Sequence, residues 1–459
     1  MTSPWASDSN AALFTDLYEL NMLQSYFDTG MNDVAVFDLF VRRLHPNRNY
    51  LVACGLEHVL QYLESLVFPD EAIEYLRSIN HFSDAFLESL RKLHFTGDVY
   101  AVPEGTLVYA NEPLIEIIAP LPEAQLIETF VMNQVQLATM AASKASRVVH
   151  AAGGRSVVDF GARRMHGADA GIKEPRAFYI AGVDSTSSVL AGQIWGIPVT
   201  GTVAHSYVLA FDKEFDAFRQ FVRSYPATIL LIDTYDVDGG VENVIRLASE
   251  LGPEFRVSGV RLDSGDLAKH ARDVRRKLDA AGLQRVKIFA SSSLDEYEIQ
   301  RLVSAGAPID GFGVGTHLGT SSDAPFLDTA YKLTEYAGKP KMKLSESKAT
   351  LPGRKQIFRE KVAGQAVRDV VGLMQETTVA GDPLLVKVME NGRRTRSREP
   401  LDVSRERCRT ERDALPKELL SLEKAERAYP VELSPGLRQA QSTLLHAEHW
   451  SNPVPEKSD

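Results

Sequence analysis

Between residues 156 and 313 the chain repeats one pattern: a short apolar run, a polar or glycine-containing end, then a helical stretch. The runs are Ser156-Val-Val-Asp-Phe-Gly161, Ile197-Pro-Val-Thr-Gly201, Ile229-Leu-Leu-Ile-Asp233, Val257-Ser-Gly-Val-Arg-Leu-Asp263, Val286-Lys-Ile-Phe-Ala290 and Ile309-Asp-Gly-Phe-Gly313. Helices are expected over 184–195, 238–251, 266–281 and 295–305. Strands that alternate with helices build a parallel sheet, either a barrel or a doubly wound sheet. Polar residues end several different runs, which is where a barrel assembles its site. A doubly wound sheet more often opens on a glycine-rich turn, and no GxGxxG motif occurs early. The expected fold is therefore α/β, a parallel β/α barrel over residues 126–338.

The flanks have another texture. Residues 11–30 and 55–66 carry helical periodicity, 34–41 reads as a strand, and short strands with Pro/Gly turns are expected near 97–118. Residues 1–125 thus form an α+β domain. Residues 339–450 mix strands near 366–376 and 383–390 with a charged helical region at 413–446. The tail, 451–459, is read as disordered.

A length of 459 residues suits two or three domains. Two cysteines make no disulfide framework and point to a reducing compartment. No leader-like N-terminus and no apolar stretch of roughly 20 residues is present, so a cytoplasmic location without membrane contact is expected. A net charge of −10 disfavours nucleic-acid binding but permits small anions held by local Arg and backbone N–H groups.

Four clusters at run ends carry chemistry. In Asp159-Phe-Gly-Ala-Arg-Arg164, Phe160 offers a flat face beside Arg163, whose fork fits carboxylate or phosphate. Taken alone, this cluster reads more readily as a strand end with a surface arginine pair. In Gly201-Thr-Val-Ala-His-Ser206, His205 is an acid, base or nucleophile, or else a buried, hydrogen-bonded histidine. Asp233 and Asp263 end apolar runs and can bind ribose hydroxyls, hold Mg²⁺ indirectly or stabilise a cationic transition state. Asp236 and Asp266 precede helices and read as caps. In Gly311-Phe-Gly-Val-Gly-Thr316, Gly313, Gly315 and Thr316 let backbone N–H groups approach a phosphate.

These pieces, with Thr15-Asp-Leu-Tyr-Glu-Leu-Asn-Met22 and Val183-Asp-Ser-Thr-Ser-Ser-Val-Leu-Ala-Gly192, resemble the nicotinate phosphoribosyltransferases over nearly the whole chain. The resemblance implies an incomplete α/β barrel and an α+β domain built from both chain ends. It also implies a homodimer with shared sites. The implied reaction joins nicotinate to phosphoribosyl pyrophosphate, with Mg²⁺ and with ATP as co-substrate, through a phosphorylated His205. Phe160 and, from a second copy, Tyr18 match the two faces of the pyridine sandwich. Arg163 and Arg261 match anion contacts, Asp233 and Asp263 contacts near ribose and Mg²⁺, and Gly313 and Gly315 the phosphate loop; the metal ligands stay open. The run Ser291-Ser-Ser departs from the family by lacking an acid or amide. Relatives that use nicotinamide tend to carry an acid where this chain has Ser185 to Ser188, so hydroxyls, Ser188 among them, favour nicotinate. The alternatives are a nicotinamide phosphoribosyltransferase, a lyase or aldolase barrel, which lacks the strand-end lysine it needs, and a catalytically silent metabolite-binding subunit.

Overall fold

A computed structural model describes residue 7 and residues 10–344 and 350–451 of the chain. The tail expectation therefore lies outside the described residues, apart from Ser451, which closes the last helix. The chain divides into two compact units, Met140–Pro325 and Met1–Thr139 with Phe326–Asp459.

In the 140–325 unit five of the apolar runs and the dipeptide Ser185–Thr186 form six strands: β1 (Ser156–Asp159), β2 (Ser185–Thr186), β3 (Ile229–Leu231), β4 (Gly259–Leu262), β5 (Lys287–Ala290) and β6 (Gly311–Val314). They pair in parallel in the order β2-β1-β6-β5-β4-β3. A single bridge from Thr186 to Val199 extends the β2 edge. The sheet curls as an incomplete barrel whose two edges, β2 and β3, are not joined. Val157, Leu230, Val260, Ile288 and Phe312 are all buried. Crossover helices cover a parallel sheet, and its strands consequently read as continuous apolar runs rather than as alternation.

Helix starts follow from local chemistry. Asp236, Asp266 and Asp295 accept the backbone N–H of Gly239, Lys269 and Glu298, capping helices Val237–Leu251, Leu267–Ala280 and Glu296–Ser304. The cap reading of Asp236 and Asp266 is thus the observed one. Three expectations shift. The run at 197–201 supplies only the Val199 bridge. The helix expected from 184 begins at Val189, because Ser185–Thr186 is a strand. The crossover from β1 is a helix, Ala168–Ala181, that the interior Pro175 obscured in the sequence.

In the other unit both chain ends share sheets. A seven-stranded antiparallel sheet runs Lys339–Pro340, Thr329–Tyr336, Val34–Val41, Pro113–Pro120, Asp98–Ala101, Val386–Glu390, Arg393–Arg394. Thr329–Tyr336, which the expected barrel limit of 338 assigned to the barrel, pairs with Val34–Val41 instead. A four-stranded sheet joins Asp382–Pro383, Lys355–Val362, Gln365–Leu373 and Val431–Leu433. The helical region expected at 413–446 resolves into helix Leu401–Asp413 before it and Pro435–Ser451 at its end. Among the described residues no helix is long and apolar enough to cross a membrane.

Candidate active site

The site begins where β1 ends. Asp159 is fully buried; one oxygen accepts the Gly161 N–H and the other the Thr186 hydroxyl, each at 2.7 Å, so the carboxylate ties β1 to β2. Burial lifts its pKa to about 6, against the pull of those two donors. The next residue, Phe160, donates its N–H to the Val314 carbonyl at 2.8 Å and lays its ring over β6. A Cβ at Gly313 would stand 2.4 Å from that ring, and one at Gly311 would stand 2.6 Å from Phe289. Two of the alternating glycines of β6, Gly311 and Gly313, therefore make slots for aromatic rings. Gly315 lies beside the Phe160 carbonyl, and Thr316 opens a four-residue helical turn. Arg163 sits on the single turn Ala162–Arg164, exposed, and holds no ion pair among the described residues.

A second group gathers at the ends of β3, β4 and β5. His205 is the first residue of helix His205–Leu209 and is about half-exposed. Its Nδ1 lies 3.1 Å from the Thr234 hydroxyl and its Nε2 3.5 Å from Asp263 Oδ2. Asp233 accepts the Asp263 N–H and the Ser264 hydroxyl on Oδ2, each at 2.7 Å, while its buried Oδ1 has no hydrogen-bond partner. Arg261 pairs with Asp263 at 3.2 Å and donates to the Ser291 hydroxyl and the Val203 carbonyl, both at 2.9 Å. Burial lowers its pKa, and Asp263 and Asp233 act the other way. The structure thus brings His205, Asp233, Asp263 and Arg261 into one network. It adds Thr234 and Ser291, which sequence reasoning did not assign; the only signals were Thr234's place next to Asp233 and Ser291's place at the end of an apolar run.

Ser188 has a different occupation. Its hydroxyl accepts the Ala191 N–H at the start of helix Val189–Trp195 and donates to the Gly171 carbonyl at 3.1 Å. That carbonyl would normally bond the N–H four residues on, and there stands Pro175, which has none. Beside this joint lies Glu174, buried, with neither carboxylate oxygen partnered. Burial, and then the charge of Asp159, push its pKa up to about 9, so it is neutral at pH 7. Tyr18 belongs to the other unit, on helix Leu17–Thr29, with its ring 45% exposed. Burial of its hydroxyl and the nearby Glu128 and Glu19 raise its pKa.

For a divalent cation, the described residues contain no group of three or more His, Cys, Asp or Glu placed to hold one. The bare Oδ1 of Asp233 still fits Mg²⁺, which binds through one or two carboxylates when substrate phosphates supply the remaining oxygens.

An open parallel barrel with an aromatic ring, an unpaired arginine and a histidine set between a threonine hydroxyl and a carboxylate at its strand ends is the layout of an enzyme for flat anions and phosphorylated sugars. Comparison with known proteins narrows the class. The family models for the nicotinate phosphoribosyltransferase N-terminal and C-terminal domains match residues 13–136 and 373–441. A nicotinate phosphoribosyltransferase of Mycobacterium tuberculosis is 52% identical over 95% of this chain and 94% of its own. One from Bacillus subtilis is 42% identical over 77% of this chain and 74% of its own. The crystal structure of human nicotinic acid phosphoribosyltransferase superposes with a TM-score of 0.85 at 29% identity, covering 94% of this chain and 99% of the human one. The chain belongs to the nicotinate phosphoribosyltransferase family.

Proposed function

We propose that this protein joins nicotinate to the phosphoribosyl group of phosphoribosyl pyrophosphate, forming nicotinate mononucleotide and pyrophosphate for NAD biosynthesis and salvage, with ATP hydrolysis coupled to the transfer. The carrying observation is His205 set between Thr234 and Asp263 in the same network as Asp233 and Arg261.

Phe160, fixed over Gly313, offers one face to the pyridine ring, and Tyr18 of a second copy offers the other in a homodimer. Arg261 is already committed to Asp263, Ser291 and Val203, so Arg163 is the arginine left for the nicotinate carboxylate. Glu174, the buried acid near Asp159, is neutral at pH 7 and does not repel that carboxylate. The nicotinate nitrogen attacks the anomeric carbon as the bond to pyrophosphate breaks. Positive charge develops on the ribose, and the carboxylates of Asp233 and Asp263 stabilise it. Mg²⁺, held by Asp233 Oδ1 together with substrate oxygens, would neutralise charge on the leaving pyrophosphate. His205 accepts the γ-phosphoryl group of ATP with release of ADP and later gives it up to water as phosphate, with Asp263 stabilising the charged ring. A cytoplasmic location fits a chain of this composition.

The test is product analysis with nicotinate, phosphoribosyl pyrophosphate and Mg²⁺, with and without ATP, and with nicotinamide in parallel. Nicotinate mononucleotide and pyrophosphate are expected, with ATP raising rate or yield and labelling His205 in an alkaline mass-spectrometric digest. Faster turnover of nicotinamide, or no mononucleotide from nicotinate, rejects the reading. For the shared site, a Tyr18→Ala chain mixed with a His205→Ala chain should regain about one intact site per heterodimer; no recovery rejects it.

A further inference from the structure

The unit containing both chain ends holds a cavity of about 750 Å³ of its own. That is within the range of sites that enclose a small organic ligand, roughly 300–1,000 Å³. None of its lining residues belongs to the network around His205.

Its polarity is graded. At the rim stand Arg43 and Lys424, both exposed, and Arg42, half-buried beside the Phe40 ring. Arg43 reaches only Asp328, in a pair whose arginine is 85% exposed and which is therefore weak. Three cations around one opening, in a chain of net charge −10, form a local anion trap. The walls are apolar and aromatic. Tyr109 and Tyr429, both buried, stack with ring centroids 3.8 Å apart, and Val371 and Leu433 continue the surface.

At the buried end is Asp38. Its Oδ2 meets Lys355 Nζ at 2.8 Å, and the same ammonium also bonds the Leu351 and Gly353 carbonyls. The three donors of Lys355 are thus taken. Asp38 Oδ1 is buried and has no hydrogen-bond partner among the described residues. An acceptor left bare at the end of a cavity is costly unless a donor reaches it.

We propose that this cavity binds a nucleoside monophosphate as a ligand separate from the reactants at the strand ends. The phosphate sits among the rim cations, the base lies along the tyrosine wall, and an N–H of the base edge donates to Asp38 Oδ1. A bare anion leaves Asp38 unpartnered, and a neutral nucleoside leaves the rim unpartnered. The order of affinity is therefore a nucleotide over either part.

AMP, adenosine and inorganic phosphate serve as probes in calorimetric titrations of the full chain, carried out on the Phe160→Ala variant to weaken stacking at the barrel end. AMP is expected to bind at one site per chain, and adenosine and phosphate at least tenfold more weakly. Lys424→Glu, an exposed charge reversal, should weaken AMP by about tenfold or more. Photolabelling with 8-azido-AMP should mark peptides containing Tyr109 or Tyr429, a readout that does not depend on any variant folding. Absence of AMP binding overturns the proposal. So does phosphate or adenosine binding as tightly as AMP, or labelling confined to the His205 region. Because none of these readouts is turnover, their failure leaves the proposed reaction standing, and failure of that reaction leaves this site standing.

Discussion

Gly313 and Phe160 act as a single device. The missing Cβ lets the ring settle on β6, so the stacking proposed for the substrate depends on a residue with no side chain. Gly313→Ala should destabilise the fold by about 1–3 kcal/mol through overpacking and raise the KM for nicotinate more than that for phosphoribosyl pyrophosphate. In a Phe160→Ala background the stability loss should largely vanish, because the clash partner is gone; additive melting shifts would show that the slot is not the cause. Glu174 makes a second residue-scale prediction. Its folded pKa of about 9 lies above its ordinary 4.5, so the stability it contributes is present below pH 4.5 and lost as pH rises through 9. Denaturant titrations should show the native chain losing on the order of 5 kcal/mol from this group between pH 5 and 9. Glu174→Gln should lose correspondingly less, and parallel pH profiles for the two proteins would exclude an ionising Glu174.

At the scale of elements, the join between helix Ala168–Ala181 and helix Val189–Trp195 rests on Ser188, which answers the carbonyl that Pro175 leaves bare. Ser188→Ala removes a cap and that bond together and should cost about 1–2 kcal/mol. A thermal melt checks the cost, and an unchanged melting temperature would return Ser188 to a role at the substrate. This joint marks where the sequence stopped being legible. Long apolar runs announced β1, β3, β4, β5 and β6, and the acidic caps Asp236 and Asp266 announced the helices after β3 and β4, because those signals are local. The two-residue β2 carries no run to read; its place is set by Asp159 gripping Thr186 across 27 positions. Pro175 hid a helix because its cost is met by a serine 13 residues away. Strand-end position pointed to His205, Asp233, Asp263 and Arg261. Thr234 and Ser291 needed the folded sheet to bring their partners near, and Glu174 shows no sequence sign that its carboxyl is buried.

Over the whole molecule, the barrel that fails to close has an unequal sheet. β1, β5 and β6 have neighbours on both sides, whereas β3 is bonded on one side only. Edge strands open at lower free energy than central ones. Phe160 and Gly313 grow from the protected centre, and Asp233 with Thr234 grows from the edge that carries β3. Amide protons of Ile229–Leu231 should therefore exchange with deuterium sooner than those of Gly311–Val314, a gradient that exchange read by mass spectrometry resolves directly. If protection were uniform across the sheet, the edge would not be the weaker part. Where the gradient holds, the two ends of the sheet stand on ground of different firmness: mild heat or denaturant loosens Asp233 and Thr234 first, while Phe160 still rests on Gly313 at the protected centre.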